Sequence, residues 1–278
     1  MGDPFLPPSV ERPDFYIAAM GRSGSTMIAN WLTSSASRLV FIEPSFLSLP
    51  NTRLLRIQLE SFGIGPTDDE WNGEDASAPA RFRRLMAPRL AGRRWAVKEV
   101  LCAEHSAALD QLGPKRVLIT VRNIADVALS FFEKHRLQAN TDRFSDEWVL
   151  DYCTREAAGL VAFRDELTRR SIPFEVVRYE DFTRSEMHRN RVANFVGWPG
   201  GGATDAHLEW FNRSFEAERH GNSVSSRNRQ AADRAVEEDL QQLADIISGR
   251  CSGYQAAFGY KSDNYRNVNA GEKLVGFQ

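Results

Sequence analysis

The 278-residue chain has no apolar run of about 18 residues, the length a membrane-crossing helix needs, which excludes a helical membrane protein. Met1 to Pro13 hold acidic and proline residues where a secretion signal needs an apolar stretch, so a soluble cytoplasmic protein with no membrane partner is expected. Met1-Gly2 begins like a myristoylation site, but Leu6 stands where Ser or Thr is required. Cysteine is scarce. Cys102, Cys153 and Cys251 are too widely spaced for a disulfide framework or a zinc ribbon and read as buried thiols in a reducing compartment. His188, His207 and His220 lack metal-ligand spacing with the cysteines or carboxylates, so no metal is expected. Charge of one sign is also missing, with 35 basic against 37 acidic residues. That balance gives no support for nucleic-acid binding, and any anion site must be local.

What is present is enough apolar content, 42%, to bury a full core, and one α/β domain spanning residues 1–278 is expected, its core about 14–260 and its polar tail 261–278. Short runs rich in β-branched or aromatic residues recur at Phe15–Met20, Leu39–Ile42, Trp95–Val97, Arg116–Val121 and Phe174–Val177. Helical patterns lie between and after them at Thr26–Ser34, Thr52–Ser61, Glu104–Leu112, Ile124–His135, Asp146–Arg170, Ser185–Val196 and Ala232–Ser248. This alternation predicts a central parallel β-sheet flanked by helices on both faces. Phe62–Gly92 breaks the pattern and reads as an insertion over a sheet edge, and the Arg81–Arg94 cluster as a solvated helix face.

The first strand runs into Met20-Gly-Arg-Ser-Gly-Ser-Thr26 and then a helix. Strand, small-residue turn and helix in this order aim backbone N–H groups and the positive end of the helix dipole at one point, a phosphate cradle of the P-loop type. Against the ATPase pattern, Ala19 replaces the first Gly, Ser25 replaces the Lys, and Arg22 adds a cation inside the loop. A phosphate site other than an ordinary ATP or GTP site is implied. The second feature is Arg122 to Ser130, a strand ending on an arginine and passing into a helix that Asn123 and Asp126 would cap. An arginine at a strand's carboxyl end, with a hydroxyl two turns into the adjoining helix, suits a second phosphate.

In these residues the chain resembles the sulfotransferases that use 3′-phosphoadenosine 5′-phosphosulfate (PAPS), of the bacterial type with a tyrosylprotein-sulfotransferase-like placement of Arg, Glu and Lys. Arg22-Ser-Gly-Ser-Thr26 is similar to the family's 5′-phosphosulfate loop, and Arg122 to Ser130 to its 3′-phosphate motif. Phe41-Ile-Glu-Pro44, Ala96-Val-Lys-Glu99, Val177-Arg-Tyr-Glu-Asp-Phe182 and Phe258-Gly-Tyr260 follow in the family's order, so the resemblance spans about Phe15 to Tyr260. It implies transfer of a sulfuryl group from PAPS to a hydroxyl, less readily an amine, of an acceptor, leaving 3′-phosphoadenosine 5′-phosphate (PAP) with no metal. Arg22, Ser23, Gly24, Ser25 and Thr26 would hold the phosphosulfate, and Arg122 and Ser130 the 3′-phosphate. Tyr179 would lie near the adenine, and Ser225 with Arg227 or Arg219 would close over the 3′-phosphate. Arg22 and Lys98 would neutralise charge on the departing oxygen.

The acceptor must lose its proton as it attacks, which needs a carboxylate or histidine in reach. Glu43, before Pro44 at a strand's end, resembles the base of tyrosylprotein and several bacterial sulfotransferases; Val100 stands where the aryl and steroid enzymes carry a histidine. Glu99 and His105 remain alternatives. The expected partner is a small-molecule acceptor contacting Phe46–Gly92 and the loop after Val196, its identity and the oligomeric state left open. A nucleotide-dependent kinase and a non-catalytic PAP-binding module are the rival readings.

Overall fold

The computed structural model describes residues 5–33, 38–47, 53–137, 145–201 and 238–260. Among the described residues five runs form strands: β1 Phe15–Ala19, β2 Arg38–Ile42, β3 Arg94–Glu99, β4 Val117–Val121 and β5 Phe174–Arg178. They pair in parallel in the order β2-β3-β1-β4-β5. All five residues of β1 and of β4 are buried, as strands covered on both faces must be. The helices are α1 Ser25–Leu32, α2 Arg53–Ser61, α3 Asp68–Asn72, α4 Ala78–Arg81, α5 Ala87–Leu90, α6 Cys102–Leu112, α7 Ile124–Leu137, α8 Asp146–Arg169, α9 Tyr179–Arg184, α10 Glu186–Val196, α11 Glu238–Arg250 and α12 Ser252–Ala257.

The described residues fall into two compact units. The first runs to Val121 and resumes at Phe163, and it contains the whole sheet; the second holds Arg122–Ala162 and 238–260. In the first, Phe15, Ile17, Val40, Ile42, Ala96 and Leu118 share a core with residues of α1, α9 and α10. Side chains alternate along a strand. Tyr16, Val97 and Glu99 therefore face the other way, where they line a small cavity with Glu104, Ala108 and Leu112 of α6. At the amino ends of the strands, Asp14 accepts hydrogen bonds from Trp198 Nε1 at 2.7 Å, Lys115 at 2.8 Å and Arg94 at 2.5 Å.

In the second unit, α7 packs on α11, and Phe131, Trp148 and Tyr152 form an aromatic cluster. Cys153 and Cys251 are buried free thiols, as expected, and burial pushes both thiols up, Cys251 to about 11. Cys102 departs from the expectation, since it is only partly buried at the first residue of α6.

Two further differences concern boundaries. Phe62–Gly92, expected as an insertion over a sheet edge with no helix assigned to it, forms α3, α4, a π-helical turn Phe82–Met86 and α5, and Phe82 packs on Phe5, Phe46 and Trp95. Capping by Thr67 and Ser77 explains why such short helices start where they do. Tyr179–Arg184, where no helix is predicted, is helix α9, and Glu180 and Asp181 in its first turn favour that end of a helix dipole. The predicted helix from Ala232 is described from Glu238 onward; residues 232–237 and the tail 261–278 lie outside the described residues.

Candidate active site

The parallel sheet brings the ends of β2, β3 and β1 to one edge. Lys98 is the register partner of both Ile42 on β2 and Ile17 on β1. With strands about 4.8 Å apart, the turn after β2 and the loop after β1 therefore begin roughly 10 Å from each other.

The loop after β1 has the form its sequence suggests. Arg22 and Gly24 adopt left-handed backbone, with φ of 67° and 83°. Gly24 is the N-cap of α1, and neither a side-chain cap nor a first-turn acid competes for that helix end. The leading N–H groups of a helix have no partner inside it, so this end suits an anion. Ser23 Oγ, in the loop, is buried and has no hydrogen-bond partner among the described residues, and Ser25 is also buried. Gly24 is there for space as well as backbone. A Cβ built on it would lie 2.2 Å from the Tyr179 ring, so the buried Tyr179 packs against the loop itself.

His105 braces the strand that enters this loop. The Ala19 carbonyl can only accept, so His105 Nε2 donates to it, at 3.2 Å, and Nδ1 accepts from Tyr16 Oη, at 2.8 Å. Burial holds the ring neutral, with its pKa pushed down to about 4 despite the bond to Ala19. Both nitrogens are occupied and the residue is wholly buried, so His105 offers no basic lone pair to a substrate.

After β2 the chain turns sharply at Glu43-Pro-Ser45. Glu43 and Ser45 both sit in left-handed backbone, at φ of 49° and 51°. Glu43 N–H donates to the Lys98 carbonyl at 2.7 Å, and its carboxylate accepts from the Lys98 amine. The Lys98 side chain is 1% exposed and that of Glu43 38% exposed, so the pair joins a buried cation to a carboxylate that solvent can reach. Glu99, on the opposite face of β3, accepts the Ser45 N–H at 3.0 Å. Burial raises its pKa to about 8; the Ser45 bond opposes the shift and the Glu43 charge adds to it.

In the second unit, Asn123 Oδ1 caps α7 by accepting the Ala125 N–H at 3.0 Å, as expected. Arg122 and Ser130 are buried, and Arg122 lies 4.0 Å from Asp126. Tyr254 of α12 clamps the Arg122 backbone: its hydroxyl accepts the Arg122 N–H at 3.2 Å and donates to the Arg122 carbonyl at 2.9 Å. Phe258 and Tyr260 pack on the Tyr254 ring, which gives Phe258-Gly-Tyr260 a structural task.

The structure thus gathers Arg22, Ser23, Gly24, Ser25, Thr26 and Tyr179 around one loop and pairs Glu43 with Lys98. Arg122 and Ser130 belong to the second unit, while Arg219, Ser225 and Arg227 lie outside the described residues. Sequence reasoning missed Tyr254, which bonds a residue 132 positions away. It also missed Arg81, placed on a solvated face but in fact 4% exposed and donating to the Ser45 and Phe46 carbonyls at 3.1 and 3.2 Å. A lone arginine ending a four-residue helix carries no periodic signal that could have marked it. Among the described residues, no group of three or more His, Cys, Asp or Glu is placed to hold a metal ion, and no helix is long and apolar enough to cross a membrane.

No protein-family model and no curated protein matches the chain. Solved structures do. Sulfotransferase STF9 from Mycobacterium avium superposes with a TM-score of 0.51 at 17% identity, over 92% of this chain and 78% of that one. A sulfotransferase from Alicyclobacillus acidocaldarius gives 0.52 at 15% identity, over 91% and 98%. The sulfotransferase domain from the curacin biosynthetic pathway gives 0.53 at 15% identity, over 86% and 99%. With a five-stranded parallel sheet in the order β2-β3-β1-β4-β5 and helices on its faces, the chain has the fold of these sulfotransferases.

Proposed function

We propose that the protein transfers a sulfuryl group from PAPS to a hydroxyl, less readily an amine, of a small acceptor, releasing PAP and the sulfated product. The observation that carries this reading is the Lys98–Glu43 pair, set at the same sheet edge as the anion loop of β1. The loop suits the donor's phosphosulfate: its helix end is uncapped by side chains, and the buried Ser23 hydroxyl has no partner among the described residues.

In the proposed reaction the acceptor oxygen attacks sulfur while its proton passes to the Glu43 carboxylate, and the bond from sulfur to the bridging phosphate oxygen breaks. Protonation of Glu43 removes the charge that holds Lys98, freeing the amine to stabilise negative charge on the departing oxygen beside Arg22. Among the three candidate bases, His105 has both nitrogens engaged and Glu99 is buried and protonated near neutral pH, whereas Glu43 reaches solvent. No covalent enzyme intermediate is invoked. Arg122 and Ser130 are assigned the 3′-phosphate on their sequence motif, Tyr179 the base of the nucleotide, and Ser225 with Arg227 the cover. The reading makes this a metal-independent, cytoplasmic enzyme.

Glu43→Gln tests it. Turnover of PAPS with a panel of phenols and alcohols should fall by a factor of about 10² to 10⁴, the range for losing a general base. PAP at 100 times its Kd should still stabilise the variant by about 2.7 kcal/mol in a thermal melt. Full turnover in the variant refutes Glu43 as base, and a greater stabilisation by ATP with magnesium than by PAP favours a kinase. Binding of PAP without turnover of any acceptor by the native chain favours the non-catalytic module.

A further inference from the structure

We propose that Arg81 is a positioning residue whose guanidinium holds the Glu43–Phe46 turn in the shape that presents the Glu43 carboxylate to Lys98 and to an acceptor. This deepens the reading of Glu43 as base and rests on it.

The turn is poorly suited to hold itself. Glu43 and Ser45 both have positive φ, a region that non-glycine residues occupy only when surroundings impose it, and Pro44 between them has no N–H to donate. Outside bonds supply the restraint. Glu43 N–H is tied to the Lys98 carbonyl and Ser45 N–H to Glu99, both on β3. The carbonyls of Ser45 and Phe46 are tied by Arg81 Nη2, from the end of α4. Ser45 is therefore gripped on both sides of its backbone, by an anion-capable group on one side and a cation on the other.

Stability does not explain the choice of arginine here. Its partners are two neutral carbonyls, its Nη1 is buried without a partner among the described residues, and burial lowers its pKa, although Asp75 partly compensates. Burying a guanidinium in this way carries a desolvation penalty that leucine or methionine of similar volume would avoid. What those residues cannot supply is two directed N–H bonds onto consecutive carbonyls just after the proposed base. The aromatic packing of Phe46 on Phe82, next to Arg81 in the chain, keeps the donor and the turn together.

The test compares Arg81→Met, which keeps the apolar stem, with Arg81→Lys, which keeps the charge but not the fork. Amide hydrogen exchange on the full chain is the direct readout. In Arg81→Met the Glu43 and Ser45 amides should exchange about tenfold faster while those of Tyr16 and Ile17 in β1 do not change, with Arg81→Lys between the two. Unchanged exchange at Glu43 and Ser45, or equal acceleration in β1, overturns the proposal. If Arg81→Met fails to fold, Arg81→Lys against the native chain carries the same measurement.

PAP release from PAPS with p-nitrophenol then separates this inference from the one beneath it. Arg81→Met should lower kcat about tenfold at an unchanged KM for PAPS, and should cost nothing more when added to Glu43→Gln, because it acts through that residue. A further tenfold loss in the double variant overturns Arg81 as a positioner of Glu43. Full turnover in Glu43→Gln alone instead sinks the base assignment, while the exchange result still decides whether Arg81 holds the turn.

Discussion

The loop after β1 and the turn after β2 end neighbouring parts of one sheet edge, and both depend on left-handed backbone, yet they are built in opposite ways. The β1 loop also holds Arg22 in that region but places a glycine, Gly24, at its tightest point, and follows it with the hydroxyl residues Ser25 and Thr26 at a helix start. The β2 turn has no glycine. It places Glu43 and Ser45 in the same region and relies on β3 and α4 to hold them there. The first design is local and general, since any phosphate fits a nest of N–H groups. The second is global and specific, since the carboxylate proposed to take the acceptor's proton needs one orientation, which distant groups impose.

The largest expected effect comes from breaking the local design at its tightest point. Gly24→Ala adds a Cβ within 2.2 Å of the Tyr179 ring at a φ of 83°. Tyr179 is buried and cannot swing out freely, so the loop must open. A loss of about 3 kcal/mol in stability, from strain and overpacking together, is expected in urea denaturation, with PAP affinity reduced well over tenfold. If PAP binds Gly24→Ala as tightly as the native chain, the β1 loop is not where the donor sits.

The same contrast explains what was legible beforehand. The strands and the β1 loop were readable because each is written in adjacent residues: an apolar run, then small residues, then a helix. Five strands were placed within a few residues, and Asn123 capped its helix as expected, because caps and strands are local chemistry. The β2 turn was readable only as a glutamate before a proline. That Lys98 lies opposite it follows from a register 55 residues long, and Arg81 and Tyr254 reach their partners across 36 and 132 positions. Glu99 and His105 stayed open as alternative bases for the same reason, because burial decides their chemistry and no short pattern encodes burial.

Glu99 sharpens the comparison through pH. Its folded pKa of about 8 lies above its ordinary 4.5, so the native state holds a proton that the unfolded chain releases between those values. Stability conferred by the protonated form is full below about pH 4.5 and is lost as pH rises toward about 8. Glu99→Gln removes this dependence and still offers an oxygen to the Ser45 N–H. Its stability relative to the native chain should climb from pH 5 to pH 8, by up to about 1.4 kcal/mol per pH unit, and level off above. A constant difference across that range means that Glu99 is ionised in the folded protein and that the turn is held by a charge rather than a neutral acid.

His105 tests whether the β1 loop is as local as it looks. The Ala19 carbonyl, the last before the loop, is bonded by a ring 86 residues away, and Tyr16 shares that ring. His105→Phe keeps the bulk but leaves the buried Tyr16 hydroxyl unpaired and the Ala19 carbonyl with only the weak Cys102 thiol contact at 3.9 Å, which should cost about 2 kcal/mol at neutral pH. The sign of the pH dependence distinguishes this from a packing defect. With a folded pKa near 4 and an ordinary value of 6.5, the neutral ring contributes stability present above pH 6.5 and lost as pH falls toward 4. The gap between native and variant should therefore shrink from pH 7 to pH 4.5. PAP affinity should fall only about threefold, because Gly24 and the start of α1 keep their own geometry. A larger loss of affinity would show that the β1 loop, too, is held from a distance, and the difference between the two loops would be one of degree.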